Sequence, residues 1–370
     1  MNVYGLATPA VLIDRPRALR NIDRMQAAAD ARGVRLRPHT KTHKSPMVAR
    51  WQIERGAIGI CCAKLGEAEV FAASGFDDIR LPYPINPANA DRVIALLDRT
   101  RLSFSIDHPV VAKQWSDVMV RAGKRVELLV KIDVGFHRCG LDPDARDTVA
   151  TIREIAGLPG LDFRGLLSHA GQTYHAHSED ELRLMAEAEV RTMSDLAAWC
   201  RAKGLAVDEI SLGATPPARF SLHHEGFTEY RPGNYAYFDR TQVALGAATL
   251  DDCALTVLAR VVSKPAANRI ILDSGSKTLT NDGARGFTPA PGYGIILRDG
   301  HPDQTLLIER LSEEHATVTA TTGTTPLEPG DCVRIIPNHS CVVSNLVDQA
   351  WLVDGDSVEP LPIAARGRIT

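Results

Sequence analysis

The sequence has no apolar run that approaches the roughly 20 residues a membrane-spanning helix needs. The start, Met1 to Ala10, also lacks the basic stretch and apolar block of a secretory signal, so we expect a cytoplasmic protein without a membrane partner. The net charge is only −3, which gives no electrostatic case for binding nucleic acid. These absences leave a small molecule as the expected partner.

Cysteine is scarce and odd in number. Seven cysteines, of which Cys61 and Cys62 are neighbours, favour reduced thiols over a disulfide framework. The hydrophobic and charged fractions, 44% and 24%, are ordinary for a globular protein. Since 370 residues exceed what one hydrophobic core usually supports, we expect two structural units.

Short apolar segments alternate with amphipathic helical stretches through the first 250 residues or so. The predicted strands are Val34–Thr40, Ile58–Cys62, Asp78–Pro82, Leu102–Ile106, Val126–Asp133, Phe163–His169, Val207–Leu212 and Phe227–Arg231. This alternation is typical of parallel β/α units. Eight units predict a closed (β/α)₈ barrel of the TIM type over residues 15–250, with a short link between the last two strands.

Alternating or β-branched runs replace the helical segments after about Asp252. They are Ala254–Val262, Arg269–Leu272, Thr305–Leu311, Ala316–Thr322, Cys332–Ile336 and Gln349–Val353. Turn-forming residues separate them, as hairpins require. We therefore predict an antiparallel β domain over residues 251–370, to which we also assign residues 1–14.

Polar motifs follow most of the predicted barrel strands, at the end where β/α barrels carry their active sites. The loops after strands seven and eight contain Gly213 and Thr215, and Gly233, Asn234 and Tyr235. Glycines let backbone N–H groups approach an anion, and Thr215 and Asn234 can add side-chain donors. We predict a phosphate site here and count Tyr235 among the cofactor-binding candidates.

A lysine at the end of strand one faces this phosphate site across the barrel. An amine in a closed site can form a Schiff base, so the combination indicates a phosphorylated carbonyl cofactor, for which pyridoxal phosphate fits. Lys41 is the favoured residue and Lys44 its rival, because Lys41 lies closer to the predicted strand end. The alternative for Lys41 is a solvated loop lysine.

Three further side chains are candidates at strand ends. His169 can lie flat against a pyridine ring or serve as a core histidine, and Tyr174 can hydrogen-bond the cofactor or simply pack. Arg138 can bind a substrate carboxylate as a bidentate donor, the alternative being a salt bridge to Asp133.

The segment Pro337–Cys341 follows a predicted strand and contains His339 and Cys341. In extended backbone these two side chains point to the same side and can bind one ion, with zinc favoured over magnesium. A buried pair without metal is the alternative, since His-x-Cys alone is a weak motif.

Together these residues resemble the D-threonine aldolase and D-serine dehydratase family of fold-type III pyridoxal-phosphate enzymes, which have an alanine-racemase-like barrel and a β domain. The motifs in family order are Arg37–Lys44, Asp133–Gly140, Ser211–Pro217, Arg231–Tyr235 and Pro337–Cys341. The resemblance implies Lys41 as the Schiff-base lysine, Tyr174 near the pyridine ring, and Thr215 with Gly233 and Asn234 on the phosphate. It also implies His339 as a metal ligand and a homodimer.

The resemblance leaves the reaction open between two lyase activities on D-β-hydroxy amino acids. Cys341 favours the dehydratases, which look like His-x-Cys with zinc, over the aldolases, which look like His-x-Asp with manganese or magnesium. In dehydration Lys41 removes the Cα proton and the product is an oxo acid with ammonia. In retro-aldol cleavage a base, for which His43 and a metal-bound hydroxide are the candidates, takes the hydroxyl proton. A racemase and a non-catalytic cofactor-binding protein are weaker alternatives.

Overall fold

The computed structural model describes residues 2–287, 289 and 291–370, and its strands form two separate sheets. The first sheet contains eight parallel strands. They are β2 (Arg35–Leu36), β3 (Ile60–Cys61), β4 (Asp78–Pro84), β5 (Arg101–Ile106), β6 (Val126–Lys131), β7 (Leu161–Leu167), β8 (Glu209–Leu212) and β9 (Glu229–Tyr230). Each of the eight predicted strands is present, so the predicted α/β barrel is confirmed.

The eight strands close into a ring. Neighbours pair in chain order from β3 to β9, and β9 pairs with β2. Beyond the end of β2, a parallel bridge joins His39 to Cys61, and the Cys61 N–H donates to the Pro38 carbonyl at 2.7 Å. β2 is short because Pro38 has no N–H to continue the ladder.

Helices surround this barrel. They are α1 (Arg15–Asp30), α2 (Pro46–Glu54), α3 (Leu65–Ala73), α4 (Ala90–Leu97), α5 (Pro109–Arg121), α6 (Thr148–Ala156), α7 (Glu179–Ala202), α8 (Ala218–Ser221) and α9 (Arg240–Ala244). The short link noted between the last two strands holds only the four-residue α8. Among the described residues, every helix is too short or too polar to cross a membrane.

The barrel interior holds a buried ionic cluster as well as branched side chains. Glu229 accepts from Arg37 at 2.8 Å and from Arg80 at 2.5 Å, and Arg80 also donates to Glu209 at 2.8 Å. Burial alone would raise the pKa of Glu229, but the charges of Arg80 and Arg37 hold it well below its usual range. The cluster ties β4, β8 and β9 together across the barrel axis.

The second sheet is mixed rather than purely antiparallel. Its strands are β1 (Ala10–Asp14), β10 (Leu255–Ala266), β11 (Arg269–Leu272), β12 (Ile295–Arg298), β13 (His301–Pro302), β14 (Leu306–Leu311), β15 (Ala316–Ala320), β16 (Cys332–Ile336), β17 (Gln349–Asp354) and β18 (Ser357–Pro362). β1 pairs parallel with β17, whereas the other ladders are antiparallel. Two short helices, α10 (Ser276–Leu279) and α11 (Ser340–Leu346), interrupt the strands.

We propose the domain boundary between these two sheets, near residue 250, with β1 in the second unit. Hydrogen bonds to backbone carbonyls join the units close to the barrel mouth. The Arg240 N–H donates to the Pro337 carbonyl at 3.1 Å, and the Thr241 hydroxyl donates to the Asn338 carbonyl at 2.8 Å. These contacts carry the segment that contains His339 and Cys341 to the carboxyl ends of the barrel strands.

Candidate active site

A cavity of about 180 Å³ lies where the barrel mouth meets the segment Pro337–Cys341. Nine of the residues predicted from the sequence line it: Lys41, His169, Tyr174, Gly213, Thr215, Gly233, Asn234, His339 and Cys341. The predicted residues His43, Arg138 and Tyr235 do not line it. The barrel and the β domain therefore contribute to one site.

Lys41 and Lys44 have opposite environments. Lys41 lies in a short 3₁₀ turn after β2, where its backbone N–H donates to Nδ1 of His39 at 3.3 Å, and its amine faces the cavity. Lys44 is buried and pairs with Glu67, whose other oxygen accepts from the Ala63 N–H at 2.6 Å. The ion pair occupies the Lys44 amine, which leaves Lys41 as the amine available for chemistry.

The two glycine loops form a cradle of backbone donors. Within the described residues, the N–H groups of Gly233 and Asn234 donate to no protein acceptor, whereas the Thr215 N–H contacts the Tyr174 phenol. A Cβ on Gly233 would lie 3.2 Å from His39, so a side chain there has little room. Such a group of free N–H donors is a typical anion site.

The Asn234 side chain does not add the expected donor. Its Nδ2 donates to Asp239 at 2.6 Å, and its buried Oδ1 has no partner among the described residues. Tyr235 also departs from expectation, because its phenol is buried outside the cavity and accepts from Gln52 at 2.9 Å. Only the Tyr235 N–H approaches the cradle, since it donates to the Thr215 hydroxyl at 3.3 Å.

His169 is held as a neutral imidazole. Its Nδ1 lies 2.8 Å from the Gly213 carbonyl, so the proton is on Nδ1. Burial lowers the pKa of His169 well below its usual value, and the charges of Lys41 and Lys131 act in the same direction. Tyr174, on the same cavity, has its pKa raised by burial and by the negative groups Cys341 and Asp239.

The position of His43 argues against the predicted base role. The side chain is fully buried, its Nδ1 accepts from the Ser45 N–H at 3.2 Å, and its ring lies 6.3 Å from the Tyr237 ring. Burial lowers the pKa of His43 to about 4. The chain turns sharply after Thr42, which directs His43 into the interior while Lys41 faces the cavity.

Arg138 lines a second cavity of about 270 Å³ on another side of Lys41. The alternative salt bridge to Asp133 is not formed, because Asp133 contacts Nδ1 of His137 at 3.2 Å instead. Lys131 lines the same cavity, and burial together with the charge of Arg231 lowers the pKa of Lys131 to about 7. This cavity is strongly cationic.

His339 and Cys341 lie side by side, but for a different reason than predicted. His339 is the extended residue that caps α11 and Cys341 is the second residue of that helix, so the pair spans a helix start rather than an extended run. Burial alone would lower the pKa of His339, but Cys341 and Asp282 together raise it to about 10. Burial alone would raise the pKa of the Cys341 thiol. The neighbouring charge of His339 outweighs this effect, so the pKa of Cys341 is lowered.

The donor set at this pair suits a soft or borderline metal ion. The hydroxyl of Thr42 lies 3.2 Å from the Cys341 sulfur. No group of three or more His, Cys, Asp or Glu side chains with metal-binding geometry occurs among the described residues. Two protein ligands would be too few for a closed structural zinc site and would leave positions for water or substrate.

Comparison with known proteins accounts for both units. The family model described as "Alanine racemase, N-terminal domain" matches residues 13–241, and "Putative serine dehydratase domain" matches residues 254–353. D-threonine aldolase from Arthrobacter sp. is 33% identical over 97% of this chain and 93% of that protein.

The chain belongs to the D-threonine aldolase and D-serine dehydratase family.

Other members agree in extent and fold. D-serine dehydratase from Dictyostelium discoideum is 28% identical over 96% of this chain and 95% of that protein. The structure of D-threo-3-hydroxyaspartate dehydratase from Delftia sp. HT23 matches with a TM-score of 0.93 at 31% identity, covering 98% of each chain. Structures of its His-to-Ala variant and of its Cys-to-Ala variant, the latter in the metal-free form, match equally well, and the two altered residues are two positions apart.

Several side chains of this family site carry no local sequence signal. Asp239 faces the cavity from the loop between β9 and α9, and Asp282 faces it from the β domain. Lys131 ends a strand whose sequence indicates only burial. The motif Asn281-Asp282-Gly283 indicates only a turn. Only the tertiary structure brings these residues together.

Proposed function

We propose that this chain is a pyridoxal-phosphate- and metal-dependent lyase that acts on D-β-hydroxy amino acids, with dehydration to an oxo acid and ammonia as its main reaction. One observation carries the proposal. The Lys41 amine, the cradle of free N–H groups and the His339–Cys341 pair face the same cavity. Relatives named as aldolases and relatives named as dehydratases both support the substrate class.

The residues fit pyridoxal phosphate. The free N–H groups of Gly233 and Asn234 and the Thr215 hydroxyl would hold the phosphate, Lys41 would hold the aldehyde carbon, and neutral His169 would lie against the ring. When bound, the cofactor supplies an electron sink for negative charge at the substrate Cα. In our scheme Lys41 takes the Cα proton, and the buried surroundings keep water from the reacting atoms.

The pair His339 and Cys341 fits a zinc ion. Imidazole and thiolate are the ligands that zinc prefers, whereas manganese and magnesium prefer oxygen. The metal would act as a Lewis acid on the substrate's β-hydroxyl. The Cys-to-Ala and His-to-Ala variants of the Delftia dehydratase support this assignment, because their altered residues have the same His-x-Cys spacing and the Cys-to-Ala structure is a metal-free form.

The cationic second cavity supports a carboxylate-binding role for Arg138. Lys64, Lys131 and Arg138 line it and form no salt bridge within the described residues. Arg138 would bind the α-carboxylate as a planar donor. The remaining cations suit substrates with a second carboxylate, such as the 3-hydroxyaspartate named for the Delftia relative.

Retro-aldol cleavage to glycine and an aldehyde is the second candidate, favoured by the 33% identity to a D-threonine aldolase. A single assay separates the two. Enzyme loaded with zinc and cofactor is incubated with D-serine, D-threonine, D-threo-3-hydroxyaspartate and their enantiomers, and the products are identified. Oxo acids with ammonia support dehydration. Glycine with an aldehyde as the main product assigns the chain to the aldolases.

We also propose a homodimer and a cytoplasmic location. The dimer follows from the family resemblance, and the seven cysteines, all free among the described residues, suit a reducing compartment. Sedimentation of the active enzyme tests the dimer. A fully active monomer would exclude the dimer but leave the proposed reaction unaffected.

A further inference from the structure

Asp282 contacts the imidazole of His339 although it lies 57 residues earlier in the chain. Its Oδ2 is 2.5 Å from Nδ1 of His339. A carboxylate at this distance keeps the Nδ1 proton in place, so Nε2 is the nitrogen that would give up its proton to a metal. The contact therefore selects which nitrogen of His339 can act as a ligand.

The backbone around Asp282 is held by the segment that carries His339. The Asn338 side chain is buried and donates from Nδ2 to the carbonyl of Asp282 at 3.0 Å and to that of Gly292 at 3.0 Å. The Asp282 N–H donates to the hydroxyl of Thr280 at 3.2 Å. Thr280 itself has a φ of 67°, a conformation that non-glycine residues adopt only when their surroundings impose it.

Cys341 completes the arrangement. Cys341 belongs to the same cavity as His339 and Asp282, and its sulfur is oriented by the Thr42 hydroxyl at 3.2 Å. The imidazole is thus fixed through Nδ1 and the thiol through its sulfur. Both prospective ligands are oriented before any ion arrives.

We propose that Asp282 is a positioning residue that orients His339 for metal binding, and that Asn338 fixes Asp282 in that place. Asp282 acts through His339 and touches neither metal nor substrate. The inference rests on the proposed metal dependence of the enzyme. Partners of this kind typically contribute a factor of about 10–100 to metal affinity.

Zinc affinity tests the proposal without reference to turnover. Full-length, cofactor-loaded wild type, Asp282→Asn, Asp282→Ala and His339→Ala are titrated with zinc against a competing chelator. Asparagine keeps an acceptor for the Nδ1 proton but loses the charge, whereas alanine frees the ring. We expect affinity to fall about tenfold in Asp282→Asn and up to about 100-fold in Asp282→Ala.

A matched control and a spectrum complete the experiment. Asp348→Asn removes an exposed carboxylate of the same domain that pairs with Arg366, and it should leave zinc affinity unchanged. Cobalt substitution should show the thiolate-to-metal band of Cys341 retained in Asp282→Asn, which shows that the fold and the second ligand persist.

Each remaining outcome overturns the inference in a recognisable way. Unchanged zinc affinity in both Asp282 variants would reject it and leave the metal site intact. A loss in Asp282→Asn as large as that in His339→Ala would make Asp282 a direct ligand instead. Wild type that binds no zinc would reject the metal part of the proposed function, and this inference with it.

Discussion

Exchanging Lys41 or Lys44 for glutamine separates cofactor attachment from the stability of the barrel. Lys44 and Glu67 form a buried ion pair with side chains only 7% and 1% exposed. Removing one partner leaves an uncompensated buried charge, which costs about 3–5 kcal/mol. At about 2–4 °C per kcal/mol, Lys44→Gln should lower the apparent melting temperature by roughly 10 °C. Its cofactor should remain bound.

Lys41→Gln should behave in the opposite way. Within the described residues Lys41 forms no ion pair and is partly exposed, so its replacement should change stability by about 0.5 kcal/mol or less. The cofactor should no longer survive gel filtration, because its covalent attachment is lost.

Circular dichroism monitors thermal unfolding of each variant. Visible absorbance of the desalted protein measures how much cofactor is retained. Borohydride reduction of wild type followed by tandem mass spectrometry locates the label, and a modified Lys41 also blocks tryptic cleavage at that position. A label on Lys44, or cofactor retained by Lys41→Gln and lost by Lys44→Gln, would refute the reasoning.

Three further predictions concern the cradle, the metal and the barrel interior. Gly233→Val should weaken cofactor binding at least tenfold in a fluorescence titration because its Cβ meets His39 at 3.2 Å, whereas Gly5→Val has open space away from the cavity and should not; equal affinities would count against the cradle. Cys341→Asp should shift metal preference from zinc towards manganese or magnesium and depress pyruvate formation from D-serine, and unaltered metal content and activity would contradict this. Glu229→Gln should cost about 3–5 kcal/mol in denaturant unfolding at pH 7, against about 0–1 kcal/mol for the surface variant Glu127→Gln. Since the folded-state pKa of Glu229 is depressed, this penalty should shrink as pH falls below about 4.3, and a penalty independent of pH would exclude the ionic account.

The barrel could be predicted from sequence because its signal is local. Each strand is a short apolar run, and segments such as Glu179–Ala202 have helical spacing over their whole length. The β domain is harder to predict from the sequence. Ile295–Arg298 and Ser357–Pro362 lack a clear alternation, and the β-branched residues of Ser340–Leu346 conceal a helix that tertiary contacts stabilise.

The site shows the same division between local and distant information. Lys41, Thr215 and Gly233 could be predicted because barrel enzymes carry their active sites in the loops after the strands. The same argument fails for His43, because a single 3₁₀ turn reverses the direction of its side chain. Asp282 could not be found, since its role depends on a contact 57 residues away. Sequence periodicity predicts where chain segments end, but not which distant segment will face them.

The Asp239 carboxylate described beside Asn234 has a thermodynamic consequence. Its Oδ2 accepts from Asn234 at 2.6 Å in one glycine loop and from the backbone N–H of Ser340 at 2.9 Å, between the two prospective metal ligands. A displacement of either partner alters the hydrogen bond available to the other. We therefore expect binding in the two halves of the cavity to be linked. Because linkage is reciprocal, any factor by which a bound cofactor raised metal affinity would equal the factor by which a bound metal raised cofactor affinity.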